Sequence, residues 1–339
     1  MKLADFYKNK TILVTGGVGS IGSKIVRKVL EYGPKAVRVL DNNETGLFNL
    51  EQELNSKKIR AFVGDIRDKN RLKMAIESVD IVFHAAALKH VPLCEFNPFE
   101  AVKTNILGTQ NLIEVAIDEE VEKFVTISTD KAISPINVMG ATKLLVERLT
   151  ISANFYKGKR ETTFSCVRFG NVLTSRGAVL SIFREQVKKG GPVTVTHPDM
   201  TRFVMSIDEA TKLVLGTVQM VKGGEIFILR MLALRIIDLA KALIGQMAPK
   251  YGYKPEEIEI KIVGKRPGEK IYEELMAEEE AAQAYKLKNM FVLPSFKSRE
   301  KKTKIKINEY RSDNTKLMSI KEIKDMLVHY ESSIPEYVK

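Results

Sequence analysis

The sequence Thr11-Ile-Leu-Val-Thr-Gly-Gly-Val-Gly-Ser-Ile-Gly22 carries the clearest indication of how this chain folds. Thr11 to Val14 form a short apolar run with β-branched residues, which predicts a buried strand. Residues 23–32 then follow a helical pattern that ends at Gly33-Pro34. A strand, a glycine-rich turn and a helix in this order predict a dinucleotide-binding unit rather than an ordinary turn.

Each glycine of the turn has a physical role in such a unit. Gly16 permits the tight turn, Gly19 lets the backbone approach a pyrophosphate, and Gly22 lets the helix pack close to the strand. The N-terminus of the helix, with Ser20 and Ile21, would face the phosphates, because free N–H groups and the helix dipole favour negative charge there.

The strand ends that follow predict the rest of a cofactor site. Asp41 ends a second strand and lies about 20 positions after Gly22, where an acid takes the adenosine ribose hydroxyls. No Arg follows Asp41 directly, which favours NAD over NADP. Further cofactor contacts are expected after the strands 59–63 and 79–84, from Asp65, Ile66, Ala85 and Ala86. Strands that alternate with helical segments predict an α/β fold built on a doubly wound parallel sheet.

A second stretch, Thr126 to Lys143, collects groups able to do acid–base chemistry. Its first residues predict the end of a buried strand, and Ser128-Thr129-Asp130-Lys131 follows at the usual mouth of an α/β site. Residues 140–148 predict a helix, on which Met139 and Lys143 share a face because they are four positions apart. An acid, a base and hydroxyls would then surround one point. A helix cap beside a solvated lysine is the alternative interpretation.

Polar residues on several loops predict a pocket for an anionic nucleotide. Lys89 and His90 lie on an irregular loop beside the expected nicotinamide position, although a lone His is more often structural than catalytic. Beyond the cofactor half, groups suited to phosphate and uracil occur on separate loops. These expected substrate contacts are Asn171, Arg176, Arg202, Arg266, Lys270 and, next to the last of them, Glu269.

Composition limits the classes of function. The 339 residues carry a net charge of +12, but Lys and Glu are interleaved and the dense basic run is confined to Lys297 to Lys306. Nucleic-acid binding is therefore not expected, whereas attraction to an anionic membrane surface stays open. Only Cys94 and Cys166 occur, so neither a disulfide framework nor a metal site is expected. The sequence has no apolar signal core and no apolar run of membrane length, and we expect a cytoplasmic protein without a transmembrane segment.

These motifs together resemble the extended short-chain dehydrogenase/reductase superfamily. Within it they are similar to the nucleotide-sugar 4,6-dehydratases of bacterial and archaeal polysaccharide biosynthesis, which act on UDP-N-acetylglucosamine. The resemblance runs from Lys10 to about Glu278. It is carried by Ala85-Ala-Ala-Leu-Lys-His-Val-Pro92, Ser128-Thr-Asp-Lys-Ala132, Asn137-Val-Met-Gly-Ala-Thr-Lys143, Val167-Arg-Phe-Gly-Asn-Val-Leu173, Thr196-His-Pro-Asp-Met-Thr-Arg-Phe203 and Arg266-Pro-Gly-Glu-Lys270.

The resemblance implies an organisation and a set of ligands. Residues 1–165 would form an NAD-binding Rossmann domain of the extended type. Residues 166–339 would mainly form a smaller part that binds the UDP-sugar, with some segments returning to the Rossmann sheet. The resemblance also implies a tightly bound and recycled NAD, UDP-N-acetylglucosamine as the substrate, and a homo-oligomer.

One position departs from the superfamily pattern Tyr-x-x-x-Lys, because Met139 stands at the tyrosine position while Lys143 is retained. A thioether cannot take a proton, and a branch of the dehydratases shares this methionine. The resemblance implies Lys131 as the base at C5 of the sugar, Asp130 as the acid at O6, and Lys143 as the ligand of the nicotinamide ribose. The base for the 4-hydroxyl stays open between Asp130, Thr129 and a water.

Two other functions also stay open. A UDP-sugar 4-epimerase would need the same cofactor and binding loops, but not Asp130 and Lys131. A non-catalytic NAD-sensing or scaffold protein is suggested only by the missing tyrosine. Detection of a 4-keto-6-deoxy product separates the dehydratase from both.

Overall fold

The computed structural model describes residues 2–295 and 309–331 of the chain, so the basic run Lys297 to Lys306 lies outside the described residues. Within them the strands are β1 (Thr11–Thr15), β2 (Ala36–Asp41), β3 (Ile59–Val63), β4 (Ile81–His84), β5 (Lys123–Thr129), β6 (Thr163–Phe169), β7 (Asn171–Val172), β8 (Val193–Val195), β9 (Thr201–Met205), β10 (Ile226–Leu229), β11 (Leu232–Arg235), β12 (Ile260–Ile262), β13 (Glu274–Met276), β14 (Tyr285–Leu287), β15 (Met290–Leu293) and β16 (Tyr310–Arg311). The α-helices are α1 (Leu3–Tyr7), α2 (Ser20–Leu30), α3 (Glu44–Leu54), α4 (Lys69–Ile76), α5 (Val91–Phe96), α6 (Pro98–Ala101), α7 (Gly108–Asp118), α8 (Val138–Tyr156), α9 (Val179–Lys188), α10 (Ile207–Val218), α11 (Ile236–Met247), α12 (Glu278–Ala281) and α13 (Ile320–Glu331). A π-helical segment covers Val102–Leu107, and short 3₁₀-helices cover Asp130–Ala132, Ala248–Tyr251 and Pro255–Glu257.

A nine-stranded sheet forms the centre of the fold, in the order β14-β15-β10-β6-β5-β4-β1-β2-β3. The strands from β10 to β3 run parallel to one another. The strands β15 and β14 add to one edge in antiparallel pairs. The chain first builds outward from β1 to β3 and then restarts on the other side of β1 at β4, which makes a topological switch point between β1 and β4. The predicted doubly wound parallel sheet is confirmed.

Alternation along β1 explains why helices cover both faces of this sheet. Ile12 and Val14 pack into one apolar cluster with Ile25 of α2 and Val214 of α10. Leu13 packs into the cluster on the opposite face, which contains residues of α4 and α7. All five residues of β1 are buried, as expected for a central parallel strand that is covered on both faces.

The second half of the chain contributes both to this sheet and to a separate part. Strands β10, β14 and β15 belong to the central sheet, and the expected boundary after residue 165 falls inside β6. The separate part contains the sheet β11-β9-β7, the pairs β12-β8 and β13-β16, and the helices α9, α11 and α13. Phe183, Leu239 and Leu327 belong to an apolar cluster within it. Phe203 of β9, Leu275 of β13 and Tyr310 of β16 pack instead into the cluster that contains Ile12 and Val14.

Several predicted helices have other bounds in the structure. Helix α2 begins at Ser20 and not at residue 23, so part of the predicted turn is helical. The sequence predicts one helix from Phe99 through Thr109, whereas this region consists of α6, the π-helical segment and α7. Helix α8 is longer than predicted, with 19 residues, and its start is fixed by the Asn137 side chain, which accepts from the N–H of Gly140 at 2.7 Å. Among the described residues, no helix combines the length and the apolar character needed to cross a membrane.

Candidate active site

The glycine loop brings the start of α2 close to the ends of β1 and β4. Gly16 has a φ of +64°, and a Cβ at this position would lie 2.7 Å from the backbone of Ala86. A Cβ on Gly22 would lie 2.1 Å from the carbonyl oxygen of Gly16. Gly19 is the N-cap and gives no side-chain cap, so the first-turn N–H groups of α2, from Ser20 onward, keep the character of an anion site. This cradle fits the diphosphate of a dinucleotide.

Asp41 lies beside the loop with its carboxylate held by two backbone donors. The N–H of Val18 donates to Oδ2 at 3.1 Å, and the N–H of Asn43 donates to Oδ1 at 3.1 Å. An oriented carboxylate at this strand end suits the ribose hydroxyls of NAD. Asp65 is placed differently, since both of its oxygens accept from Arg67. Burial raises the pKa of Asp65, but the hydrogen bonds from Arg67 outweigh this and lower it.

A buried hydrogen-bond chain through His84 supports this edge of the sheet. The Thr109 hydroxyl donates to the carbonyl of Asn105, so it can only accept from Nε2 of His84, which lies 2.8 Å away. Nδ1 of His84 therefore accepts from the Thr15 hydroxyl at 2.8 Å. Burial, together with the charge of Lys143, lowers the pKa of His84 to about 3, so the ring is neutral. His84 was not among the predicted site residues, and its place at a strand end was the only sequence signal.

Asn105 extends this chain to the loop and the helix on either side of the site. Its amide accepts from the N–H of Leu88 at 2.8 Å and donates to the carbonyl of Leu88 at 3.0 Å. The same amide group donates to the hydroxyl of Thr142 on α8 at 2.9 Å. Asn105 lies in the π-helical segment, and it fixes the loop that carries Lys89 and His90 against the helix that carries Lys143.

The end of β5 turns into a 3₁₀-helix that brings three predicted catalytic groups together. Oδ1 of Asp130 accepts from the Thr129 hydroxyl at 2.8 Å and from Nζ of Lys131 at 2.9 Å. Oδ2 of Asp130 is buried and has no hydrogen-bond partner in the part of the chain that the structure describes. A Cβ on Gly170 would lie 2.9 Å from this oxygen. A buried carboxyl with one unengaged oxygen is suited to exchange a proton with a ligand.

Glu273 completes this cluster and was not predicted from the sequence. Its Oε1 lies 3.3 Å from Nζ of Lys131 and 3.6 Å from Nε of Arg202. Burial raises the pKa of Glu273, and the neighbouring Asp130 adds to the rise. Burial lowers the pKa of Lys131, but Asp130 and Glu273 outweigh this and raise it, so Lys131 is an ammonium here. The sequence signal was only an acidic pair after Tyr272, which is typical of a solvated surface.

Arg202 points inward and holds the segment that carries Glu273. Its guanidinium donates to the carbonyls of Thr201, Lys270 and Ile271 at 2.7, 2.8 and 3.1 Å. If Arg202 also contacts the substrate, as the sequence predicts, its guanidinium must keep these structural hydrogen bonds at the same time.

Lys143 and Met139 occupy the helix face expected for them. Nζ of Lys143 donates to the carbonyl of Ile127 at 2.6 Å. Burial lowers the pKa of Lys143 to about 8, against opposing contributions from Cys166 and Glu147. Met139 is buried in a small apolar cluster with Cys94 and Ala101.

One loop with predicted substrate contacts lies against the glycine loop. The N–H of Arg176 donates to Oγ of Ser20 at 3.0 Å, and its guanidinium donates to the carbonyl of Val18. Nζ of Lys89 donates to the carbonyl of Arg176 at 2.9 Å. Burial and the charge of Arg176 lower the pKa of Lys89, and burial and the charge of Lys89 lower the pKa of His90. Four predicted residues, including Ser20, therefore lie together.

A second loop lies beside the start of α8. Arg266 is exposed, and its N–H donates to the carboxylate of Glu269 at 3.1 Å. The side chain of Asn137 donates to the carbonyl of Gly268 at 2.9 Å, which ties the loop to the N-terminus of α8. Asn171 lies apart on β7, where its amide donates to the carbonyl of Phe203 at 3.2 Å.

Comparison with known proteins identifies the group to which these features belong. The profile of a family described as polysaccharide biosynthesis protein matches residues 12–295. A protein of Methanocaldococcus jannaschii, named an uncharacterized membrane protein, is 67% identical over 96% of this chain and 97% of its own length. The capsular polysaccharide biosynthesis protein CapD of Staphylococcus aureus is 48% identical over 80% of this chain, which spans only 46% of that relative. The X-ray structure of Pen from Bacillus thuringiensis is 45% identical, with a TM-score of 0.91 over 96% of this chain and 98% of its own.

Relatives of similar identity carry the names of two reactions. A UDP-N-acetylglucosamine 4,6-dehydratase (inverting) of Campylobacter jejuni is 37% identical over 96% of this chain and 99% of its own. A UDP-glucose 4-epimerase of Rickettsia rickettsii is 38% identical over 95% and 96%. A Thermus thermophilus UDP-glucose 4-epimerase in complex with NAD is 27% identical, with a TM-score of 0.64 over 76% of this chain and 88% of its own. The chain therefore belongs to the polysaccharide biosynthesis protein family of extended short-chain dehydrogenase/reductases, which includes nucleotide-sugar dehydratases and epimerases.

Proposed function

We propose that this protein is a 4,6-dehydratase that converts UDP-N-acetylglucosamine to a UDP-4-keto-6-deoxy-N-acetylhexosamine. The observation that carries the proposal is the cluster at the end of β5, where Asp130 accepts from both Thr129 and Lys131. A 4-epimerase exchanges a proton at O4 alone, whereas loss of water across C5 and C6 also needs a base at C5 and an acid at O6. The cluster offers an amine and a carboxyl for these additional tasks.

The cofactor that fits the site is NAD. The glycine cradle at Gly16 and Gly22 would take the diphosphate, Asp41 the adenosine ribose, and Lys143 the nicotinamide ribose. Bound NAD would supply the acceptor of hydride from C4 and the donor of hydride to C6, without net oxidation of the sugar. Such a cofactor is recycled at every turnover, which fits tight retention in the site.

The residues of the cluster divide the proton transfers between them. Oxidation at C4 acidifies the C5 proton, which neutral Lys131 would remove, while Asp130 would protonate O6 as it leaves as water. Lys131 would then return a proton to C5. Met139 has no proton to exchange, and the 2.8 Å bond from Thr129 to Asp130 supports a route for the 4-hydroxyl proton through Thr129 to Asp130. That proton is then the one that leaves with O6.

The UDP part would bind between the two substrate loops. Arg266, which is exposed, would contribute from one loop, and Lys89, His90 and Arg176 would contribute from the other. Asn171 would contribute an amide from β7. This assignment rests on the chemistry of the side chains, which are suited to phosphate and uracil.

The test is incubation of the purified protein with UDP-N-acetylglucosamine, followed by NMR of the product. A 4-keto-6-deoxy sugar supports the proposal. The C4 epimer of the substrate would instead identify an epimerase, and no turnover by NAD-loaded protein would favour a non-catalytic role. Asp130→Asn should abolish the product, whereas the volume-conserving control Met139→Leu should retain turnover, because the thioether takes no part in proton transfer.

A further inference from the structure

Nζ of Lys131 lies between two buried carboxylates, and each of them has an oxygen that is not engaged. It is 2.9 Å from Oδ1 of Asp130 and 3.3 Å from Oε1 of Glu273. Oδ2 of Asp130 and Oε2 of Glu273 are both buried without a hydrogen-bond partner among residues 2–295 and 309–331. Arg202 is the second cation that faces Glu273, at 3.6 Å. The cluster therefore holds two cations and two carboxylates, and it can move a proton internally without a change in net charge.

The proposed reaction sets a requirement that the resting cluster does not meet. Lys131 must be a neutral amine to remove the C5 proton, but its two carboxylate neighbours hold it as an ammonium. Asp130 cannot absorb the surplus proton, because it must be free to receive the 4-hydroxyl proton through Thr129 and pass it to O6. The surplus proton therefore needs a separate acceptor within reach of Nζ, and in the described part of the chain Glu273 is the other carboxylate that pairs with it.

We propose that Glu273 is the proton acceptor that converts Lys131 to its basic form, an inference that rests on the proposed dehydratase function. An N–H bond of Lys131 breaks and an O–H bond forms at Oε1 of Glu273, so that an ammonium and a carboxylate become an amine and a carboxylic acid. No further reactant is needed, and the proton returns to Lys131 when the product leaves. Glu273 acts through Lys131 and does not touch the sugar, so it is a positioning residue.

The surroundings of Glu273 suit this role. Its backbone is fixed on both sides, since its N–H donates to Oγ of Ser312 at 3.0 Å and its carbonyl accepts from the N–H of Ser312 at 2.9 Å. Burial and Asp130 favour the protonated carboxyl, whereas Lys131 and Arg202 favour the carboxylate, and burial is the largest of these influences on its pKa. A sugar that closes the site would exclude more water and penalise the ion pair further.

The experiment measures the elimination step of Glu273→Gln as a function of pH, by deuterium entry at C5 in D₂O and NMR of the product. Glutamine keeps the shape but cannot take the proton, and Asp130 at 2.9 Å still holds Lys131 as an ammonium, so Lys131 must lose the proton to solvent. The variant should still reduce the bound NAD, seen by absorbance, while elimination at neutral pH falls by about 100-fold or more. Elimination should then recover by about tenfold for each unit of rising pH, whereas the wild type stays flat over the same range.

Two further variants separate this role from a structural one. Glu274→Gln changes the neighbouring carboxylate, which lies 4.0 Å from Lys270, and should keep the flat profile of the wild type. Glu273→Asp retains a proton acceptor, so its elimination rate should be lower than that of the wild type but equally independent of pH. If the Gln variant does not fold, a pH-dependent rate in Glu273→Asp overturns the inference. Glu273→Gln elimination that matches the wild type, or that is reduced equally at every pH, overturns the inference. Wild-type protein that forms no 4-keto-6-deoxy product would overturn the proposed function itself.

Discussion

Nζ of Lys143 donates to the carbonyl oxygen of Ile127 at 2.6 Å, inside the strand whose end carries the acid–base cluster. This environment is largely dry, and burial lowers the pKa of Lys143 from 10.5 to about 8. Between these two values the unfolded chain binds a proton that the folded chain has lost. The free energy of unfolding therefore rises with pH across this window, and the penalty for burying the ammonium is fully present below it.

The first prediction follows from this shift. Lys143→Met removes the titrating group, so the variant should lack this part of the pH dependence. Between about pH 7.5 and 10.5 the wild type should gain up to about 3 kcal/mol of stability relative to the variant. Urea unfolding of both proteins at several pH values measures the difference. If the stability difference between the wild type and the variant is the same at every pH, burial does not lower the pKa of Lys143.

The glycine loop gives a second prediction, on stability and cofactor retention together. Gly22→Ala places a Cβ 2.1 Å from the carbonyl oxygen of Gly16, so the loop must shift, at a cost of about 1–3 kcal/mol. The same variant should lose bound NAD. Gly216→Ala on α10 is the matched control, since a Cβ there meets nothing within 4 Å and should stabilise the helix by about 0.5–1 kcal/mol. The test is to measure thermal unfolding and bound dinucleotide for the two variants. Equal unfolding temperatures and equal dinucleotide contents would contradict the prediction.

The periodicity of apolar residues predicts the bounds of those elements that depend mainly on local sequence. Strand β3 has the predicted bounds. The sequence also predicts a helix that opens at Ser206 with Asp208 and Glu209 in its first turn, and α10 begins in this way. Bounds were missed where tertiary contacts decide them. The π-helical segment contains Asn105, whose bonds to Leu88 and Thr142 join parts of the chain that are distant in sequence.

In the candidate site, too, local sequence predicts some features and long-range contacts decide others. Thr129, Asp130 and Lys131 are adjacent in sequence at a strand end, so their meeting was predictable. Glu273 lies far along the chain, and hydrogen bonds to Arg202 and Ser312, both distant in sequence, hold its backbone segment. No local pattern in the sequence distinguishes it from the exposed acids around it.

Cofactor choice gives a third prediction. The carboxylate of Asp41 is oriented by Val18 and Asn43 and would repel a 2′-phosphate, so NAD should dominate in the dinucleotide released from the purified protein. Asp41→Ser should shift the ratio of NAD to NADP affinity toward NADP by about tenfold or more, the equivalent of one charge-assisted hydrogen bond. The control Glu31→Gln removes a carboxylate at the far end of α2 and should leave the ratio unchanged. Release of mostly NADP from the wild type would refute the assignment.

We expect Arg266 and Arg202 to hold the UDP diphosphate, but their loss should have different effects. Arg266 is exposed, so Arg266→Ala should raise KM for UDP-N-acetylglucosamine by about tenfold and leave thermal stability unchanged. Arg202→Ala also frees three backbone carbonyls and removes the cation beside Glu273, so it should lower the unfolding free energy by about 2–4 kcal/mol. Steady-state kinetics and urea unfolding of both variants separate the effects. If Arg266→Ala leaves KM unchanged, the diphosphate binds elsewhere, and if Arg202→Ala is as stable as the wild type, the contacts of its guanidinium with the backbone contribute little.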